Sequence, residues 1–299
     1  AALACGLVAL RERPALAAPA RLDLGSGVCP HCLRRCPSRP PPEPQAPQRG
    51  QLACARCGDK ELGFCSHSCL AAHGAVHGAE CALLEPLLAL LFELPLPLQQ
   101  ALLLLRCSLG ARAGEEPAAE PSLSFLHLLE HHASDEPGPD AGQEDNPGRS
   151  SATMMRFAEL LSVEPAEVRV LLSKLDTYAF CCGSGDVAGG ALFRRAGFLN
   201  HSCCPNAVSR WDADQGEIVV TAAQPIAAGE EITISYLGHS CDARGCQCAA
   251  ARGCDGGASA PEEQQALPRH WPRMALEDRR RALLASKRFL CRCRRCARE

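Results

Sequence analysis

The chain has 299 residues, 46% of them hydrophobic and 22% charged, with a formal net charge of -3. That length has room for one large or two modest domains with a sizeable core. The near-neutral balance argues against a global nucleic-acid binder and against a protein that works on acidic membrane surfaces.

In chain order, residues 1–28 read as short apolar strand-like segments interrupted at Pro14 and Pro19. Residues 29–81 carry a cysteine-rich segment, interrupted by a proline-rich insert over 34–50 that should be an exposed loop. Residues 83–131 repeat leucine at helical spacing. The apolar stretch Leu83 to Leu105 is broken by Glu85, Pro86, Glu93, Pro95 and Pro97. No run therefore approaches the roughly 20 residues a bilayer requires, and buried helices with proline-marked ends are predicted. Residues 133–151 form a Pro/Gly/Asp-rich linker expected to lack fixed structure. A helical stretch covers 153–174, with Pro165 opening its second helix. Residues 191–236 read as strands, as in Glu217-Ile218-Val219-Val220-Thr221. Residues 239–271 are irregular, 277–287 should be a short helix, and from Arg279 onward Glu299 is the sole acid among nine basic residues.

The twenty-one cysteines matter most. Most fall in short groups with histidine nearby, a spacing that suits metal ligation better than disulfides and points to a reducing compartment, cytosol or nucleus. The first cluster reads Cys29-x2-Cys32, Cys54-x2-Cys57, Cys65-x3-Cys69 and His77-x3-Cys81. Eight ligands make two four-coordinate sites, and seven thiolates with one imidazole suit structural zinc. Free structural cysteines or a redox site fit this count and spacing less well. So small a module has little core, and metal binding would supply much of its folding free energy. His73 and Cys36 are additional candidates, although His73, one turn before His77, reads as a surface residue. Cys291, Cys293 and Cys296 supply three further ligands and need a fourth. Cys241, Cys246, Cys248 and Cys254 match no zinc spacing and read as incidental thiols in a loop, with a fourth zinc as the alternative. Cys5, Cys107, Cys181, Cys182 and Cys204 read as small buried apolar residues.

Two further blocks carry the strongest signal. Gly197-Phe198-Leu199-Asn200-His201-Ser202-Cys203-Cys204-Pro205-Asn206 and Gly229-Glu230-Glu231-Ile232-Thr233-Ile234-Ser235-Tyr236 resemble the two sequence blocks at the centre of SET domains. The cluster from Cys29 to Cys81 resembles a MYND zinc finger, and Cys291 to Cys296 resembles a post-SET motif. Together these are similar to the SET-and-MYND family of S-adenosylmethionine-dependent protein-lysine methyltransferases.

The resemblance implies an α+β fold: a SET core of small β-sheets with a helical insertion, an inserted MYND finger and a post-SET zinc motif. It divides the chain into an N-terminal SET part (1–28), the MYND finger (29–81), a helical SET insertion (82–178), the C-terminal SET core (179–237), a cysteine-containing insertion (238–276) and the post-SET motif (277–299). It implies three zinc ions. Cys29, Cys32, Cys65 and Cys69 would hold one, Cys54, Cys57, His77 and Cys81 the second, and Cys203 with Cys291, Cys293 and Cys296 the third. Arg292, Arg294 and Arg295 would offset the thiolate charge of the last.

The same resemblance places Asn200, His201 and Gly6 against S-adenosylmethionine, packs Phe289 on its adenine, and makes Tyr236 the active-site tyrosine beside the methyl-transfer channel. Asn206 and Gly229 look structural, as turn residues. Three positions depart from the family pattern: Ala4 where a Gly-x-Gly begins, Tyr178 where an asparagine is common, and Lys287 where a second channel aromatic often stands. The expected partner is a protein bearing a lysine, histone or non-histone, in the nucleus or cytoplasm. The alternative is a weakly active or inactive scaffold that binds proline-rich peptides through the MYND finger. Nucleic-acid contact through the basic tail stays a weaker reading, and no membrane association is expected.

Overall fold

The structure, a computed structural model, describes residues 2–22, 27–36, 64–94, 96–113, 150–183, 189–237 and 272–299. Expectations for Cys54, Cys57, residues 37–50, the linker up to residue 149 and the cysteines from Cys241 to Cys254 lie outside the described residues. The chain sorts into two units. A helical unit comprises Ala15–Phe180 and Gly189–Leu192, and a strand-rich unit comprises Ala1–Pro14, Cys181–Ala188 and Phe193–Glu299.

The helical unit is built from α1 (His67–Glu93), α2 (Leu98–Ala113), α3 (Ser151–Leu161) and α4 (Pro165–Tyr178), with β2 (Leu16–Pro19) pairing antiparallel to β4 (Gly189–Leu192). Hydroxyl caps open two of the helices. Ser66 Oγ accepts from the Cys69 N–H at 3.1 Å, and Ser150 Oγ from the Thr153 N–H at 3.2 Å. Pro165 opens α4 at the position where its missing N–H costs nothing. The expectation that prolines end the leucine-rich helices fails at Pro86, which lies inside α1. Proline forfeits one helical hydrogen bond there, but Leu87 and Leu90 immediately beyond it are buried and hold the following turns in place. The same helix runs on through residues 81 and 82.

Leu102, Leu103, Leu104 and Leu105 are consecutive and all fully buried, so α2 is covered on every side and forms the centre of this unit. Strand β4 reaches it only because of its glycines. A Cβ on Gly190 would sit 2.9 Å from Leu103 Cδ1, and one on Gly189 would sit 2.7 Å from the Ala18 carbonyl oxygen.

Arg106 of α2 is buried among carbonyls and one carboxylate. It donates to both oxygens of Glu80, at 2.9 and 3.0 Å, and to the carbonyls of Ala17 and Pro30. Each buried charge is paired, so removing one partner strands the other. Arg106→Met should lower stability by about 3–5 kcal/mol in urea unfolding, and adding Glu80→Gln should recover part of the loss. A single-variant loss below about 1 kcal/mol would contradict this assignment.

In the strand-rich unit, β1 (Val8–Glu12), β7 (Glu217–Ala222) and β6 (Ala207–Asp212) form an antiparallel sheet with β7 in the middle. Ile218, Val219 and Val220 are all buried, as a central strand covered on both faces requires. Two short strands, β5 (Asn200–His201) and β8 (Thr233–Ile234), pair in parallel with Asn200 opposite Thr233 and His201 opposite Ile234. This pairing sets the two distant sequence blocks side by side. The unit ends in α5 (Leu276–Lys287) and α6 (Arg294–Arg298). The chain passes between the units at β3 (Phe180–Cys182). Among the described residues, no single helix is long and apolar enough to cross a membrane.

Candidate active site and zinc centres

In the strand-rich unit, the sulfurs of Cys203, Cys291, Cys293 and Cys296 all lie within 4.8 Å of one another. Cys203, Cys291 and Cys296 are buried, with Leu283, Leu276, Tyr236, Leu237 and Phe289 packed around them. Four thiols at this spacing fit a tetrahedral zinc. Their protons are distributed unevenly. A hydrogen bond from Cys203 foremost, opposed by burial and helped by one from His201, holds Cys291 far below its ordinary range. The same Cys203–Cys291 bond, with burial, pushes Cys203 up.

Of the compensating cations predicted, Arg295 is buried at the cluster, and Arg279 joins it in place of the other two. Arg292 and Arg294 are exposed. Arg279, in the first turn of α5, is fully buried and donates to Cys296 Sγ at 3.6 Å, to Glu299 at 2.7 Å and to the Met274 carbonyl at 2.6 Å. Arg295, also buried, donates to the carbonyls of Cys203 and Pro272 and to Glu299. Sequence reasoning missed Arg279 because its only signal is helical register with Leu283, four residues on, the other buried residue of α5.

In the helical unit, the sulfurs of Cys29, Cys32, Cys65 and Cys69 also lie within 4.8 Å of one another. Cys32 and Cys65 are 3.5 Å apart, and Cys65 and Cys69 are likewise 3.5 Å apart. A hydrogen bond from Cys32 foremost, together with the backbone N–H groups of Cys65, Cys32 and His31, lowers Cys29 to about 5 against the effect of burial. A thiolate-favouring turn and a four-sulfur set fit zinc here too. Cys36 is half-buried and stands outside this group.

His77 and Cys81 stand one turn apart on α1, and both are buried. His73, predicted on the surface, is instead 1% exposed. It stacks on His77 at 5.9 Å, tilts against Phe64 at 5.1 Å, and lies 4.0 Å from Glu80. His73, His77 and Glu80 bring ligand-type atoms together, but the Glu80 carboxylate is taken up by Arg106. This group is therefore a buried polar knot. Burial and the Arg106 charge lower His73 to about 3, so it is neutral near pH 7.

The predicted cofactor and catalytic residues Tyr236, His201 and Phe289 meet beside the Cys203 cluster. Ring centroids are 5.2 Å apart for His201–Tyr236, 5.9 Å for His201–Phe289 and 6.3 Å for Tyr236–Phe289. His201 Nδ1 accepts from the Tyr236 backbone N–H at 2.9 Å. A backbone N–H can only donate, so Nε2 carries the neutral ring's proton and directs it at Cys203 Sγ, 3.2 Å away. The Tyr236 hydroxyl donates to the Leu199 carbonyl at 2.6 Å.

Asn200 is exposed and its side-chain amide donates to Glu231 at 2.6 Å. Gly6 has φ +84°, and its N–H donates to the Ala222 carbonyl at 2.8 Å, at the edge of the three-stranded sheet. Of the departures, Tyr178 packs against the core of the helical unit, and Lys287 Nζ lies over the Tyr236 ring, 5.5 Å from its centroid. Asn206 does more than cap a turn. Buried, it donates to the Glu231 carbonyl at 2.8 Å and accepts from the Thr233 N–H at 2.8 Å, fixing the start of β8.

The Arg279 contact generates a measurable expectation. Arg279→Met should weaken zinc retention at the Cys203 cluster by about 10–100-fold in chelator competition, the usual effect of losing a partner that supports a ligand. Retention equal to that of the parent chain would show that the guanidinium does not compensate the thiolates.

Residues 123–237 match the SET domain family model. The histone-lysine N-methyltransferase ATXR2 of Arabidopsis thaliana is 41% identical over 64 residues, covering 21% of this chain and 12% of that protein. The SET domain-containing protein SmydA-8, isoform B, of Drosophila melanogaster is 55% identical over 47 residues, covering 15% of this chain and 10% of that protein. The chain thus spans about a tenth of the length of these curated relatives. With Asn200–His201 paired to Thr233–Ile234 inside the matched interval, residues 123–237 carry the likeness to a SET domain, and the chain resembles the SET-and-MYND family.

Proposed function

We propose that this protein is an S-adenosylmethionine-dependent protein-lysine N-methyltransferase, with Tyr236, His201 and Phe289 lining its reaction site. The observation that carries this reading is the meeting of these three rings beside the four-thiol cluster, within one unit. When bound, S-adenosylmethionine supplies an electrophilic methyl group on a sulfonium.

The chain's own groups then have distinct tasks. Asn200 and His201 hold the cofactor, Phe289 covers its adenine, and Gly6 belongs to its backbone cradle. Tyr236 has spent its hydroxyl proton on Leu199, so its oxygen turns lone pairs toward an incoming amine. An aromatic wall also favours the neutral form of a substrate lysine by excluding water, and that form is the nucleophile. Correct alignment of amine and methyl group can contribute about 7–11 kcal/mol in favourable cases.

Three zinc ions complete this reading, with Cys29, Cys32, Cys65 and Cys69 on one, Cys54, Cys57, His77 and Cys81 on another, and Cys203, Cys291, Cys293 and Cys296 on the third. Residues 29–81 are then a MYND finger and 277–299 a post-SET lid. The acceptor is a lysine on a histone or another protein. A second reading, a weakly active scaffold that binds proline-rich peptides through the finger, is favoured by one observation: the Lys287 cation lies at the tyrosine where a substrate amine would arrive.

Titration calorimetry with S-adenosylmethionine on the zinc-loaded chain tests the first reading directly. Saturable heat is expected, and none at high micromolar cofactor would remove it. Tyr236→Phe should slow methylation of an acceptor peptide by on the order of tenfold to a hundredfold, the effect of a lost hydrogen bond of about 1.5–3 kcal/mol. Cofactor affinity should stay within about twofold, and equal loss of both would contradict the role given to Tyr236.

A further inference from the structure

Lys287 is the last residue of α5, and Arg288 behind it adopts the left-handed conformation, φ 58° and ψ 28°, that ends the helix. The cap turns the chain from α5 toward Phe289 and Cys291. Lys287 is half-buried, with its ammonium 5.5 Å from the centre of the Tyr236 ring. The neighbouring walls are His201, 5.2 Å from Tyr236, and Phe289, 6.3 Å from it. Because the Tyr236 hydroxyl donates its proton to Leu199, it presents acceptor lone pairs at the ring's edge. An electron-rich ring face, a hydroxyl lone pair and a second aromatic wall are what a methyl-accepting amine requires. The chain's own side chain already supplies such an amine there.

We propose that Lys287 is a modification site, methylated at Nζ within the same molecule by its own SET domain. This rests on the reading of Tyr236 and His201 as the methyl-transfer site. The step balances as follows. The ammonium first releases a proton to water, and the free amine lone pair attacks the sulfonium methyl carbon. The carbon–sulfur bond breaks with its electron pair going to sulfur, leaving a neutral thioether and a methylammonium of unchanged charge. Tethering favours this acceptor, because the amine reaches the ring without a diffusional encounter. Methylation also strengthens the seat. It keeps the positive charge while reducing hydration, and aromatic faces bind such ammonium groups well.

The test uses the full zinc-loaded chain and S-adenosylmethionine with an isotopically labelled methyl group. Mass spectrometry of the peptide containing Lys287 should show the label, entering at a rate constant that is unchanged over a tenfold range of protein concentration. Lys287→Arg should abolish that label while zinc content stays the same. Without any cofactor, acylation of Lys287 by a water-soluble amine reagent should be about fivefold slower than in Tyr236→Leu, reporting the ring contact alone. Equal acylation rates would overturn the seat. Calorimetric binding of the cofactor and methylation of an added peptide, with Lys287 unlabelled, would overturn the proposal and leave the methyltransferase reading standing. Absence of cofactor binding would remove both. A labelling rate that rises with protein concentration would assign the reaction to a second copy and overturn the intramolecular step.

Discussion

The strand-rich unit depends on four sulfurs that sequence distance keeps apart and folding brings within 4.8 Å. One thiolate among these thiols is favoured, since the Cys203 hydrogen bond lowers Cys291, but a second ionisation beside it is opposed, since that bond, burial and the Cys291 charge raise Cys203. A divalent cation held here would accept all four as thiolates, and the resulting excess negative charge would then need nearby cations. Arg279 and Arg295 meet that need from inside the protein. Glu299 receives both guanidinium groups, so the last residue of the chain is tied into the same network.

From this cluster the constraint passes inward through His201. One ring nitrogen addresses Cys203 and the other the Tyr236 backbone. Neither contact can be exchanged for the other, because the backbone N–H fixes the tautomer of the neutral ring. The position of Tyr236 is thus coupled to the sulfur cluster by a single imidazole, with Asn206 securing the strand that leads to it. Histidine in this block consequently has a positioning task that exists before any ligand arrives.

Much of this arrangement was legible in the sequence, because it rests on local chemistry. Cysteine spacing marked the ligand pairs, and the family resemblance joined them into the two four-sulfur groups. Pro165 marked the start of α4, and the β-branched run at Glu217–Thr221 marked the central strand. What the sequence hid was decided by tertiary packing. Pro86 looks like a helix terminator until Leu87 and Leu90 are seen buried beyond it. His73 looks solvent-facing until Phe64 and His77 are found against it. Arg279 looks like one more charge in a basic tail, since nothing in its neighbours says that its helix will turn it toward Cys296. The resemblance could name Tyr236 and Phe289 and mark Lys287 as a departure, but not that its ammonium lies over the tyrosine ring.

The C-terminal segment shows how a metal held by these sulfurs would be linked to the proposed reaction site. Fixing each backbone residue costs about 1–2 kcal/mol. Helix α5 buries a single leucine, Leu283, worth about 1.5–3 kcal/mol, and otherwise only Arg279, whose burial has to be offset by Glu299, the Met274 carbonyl and Cys296. Apolar burial alone is too weak to hold Phe289 and Lys287 against Tyr236. Structural zinc in small modules contributes about 10–16 kcal/mol, enough to decide the balance. The aromatic wall, the resident lysine and the buried arginine therefore stand or fall with the sulfur cluster. A segment that a metal held at these sulfurs would help to order carries Phe289 and Lys287, the residues proposed to face the methyl donor.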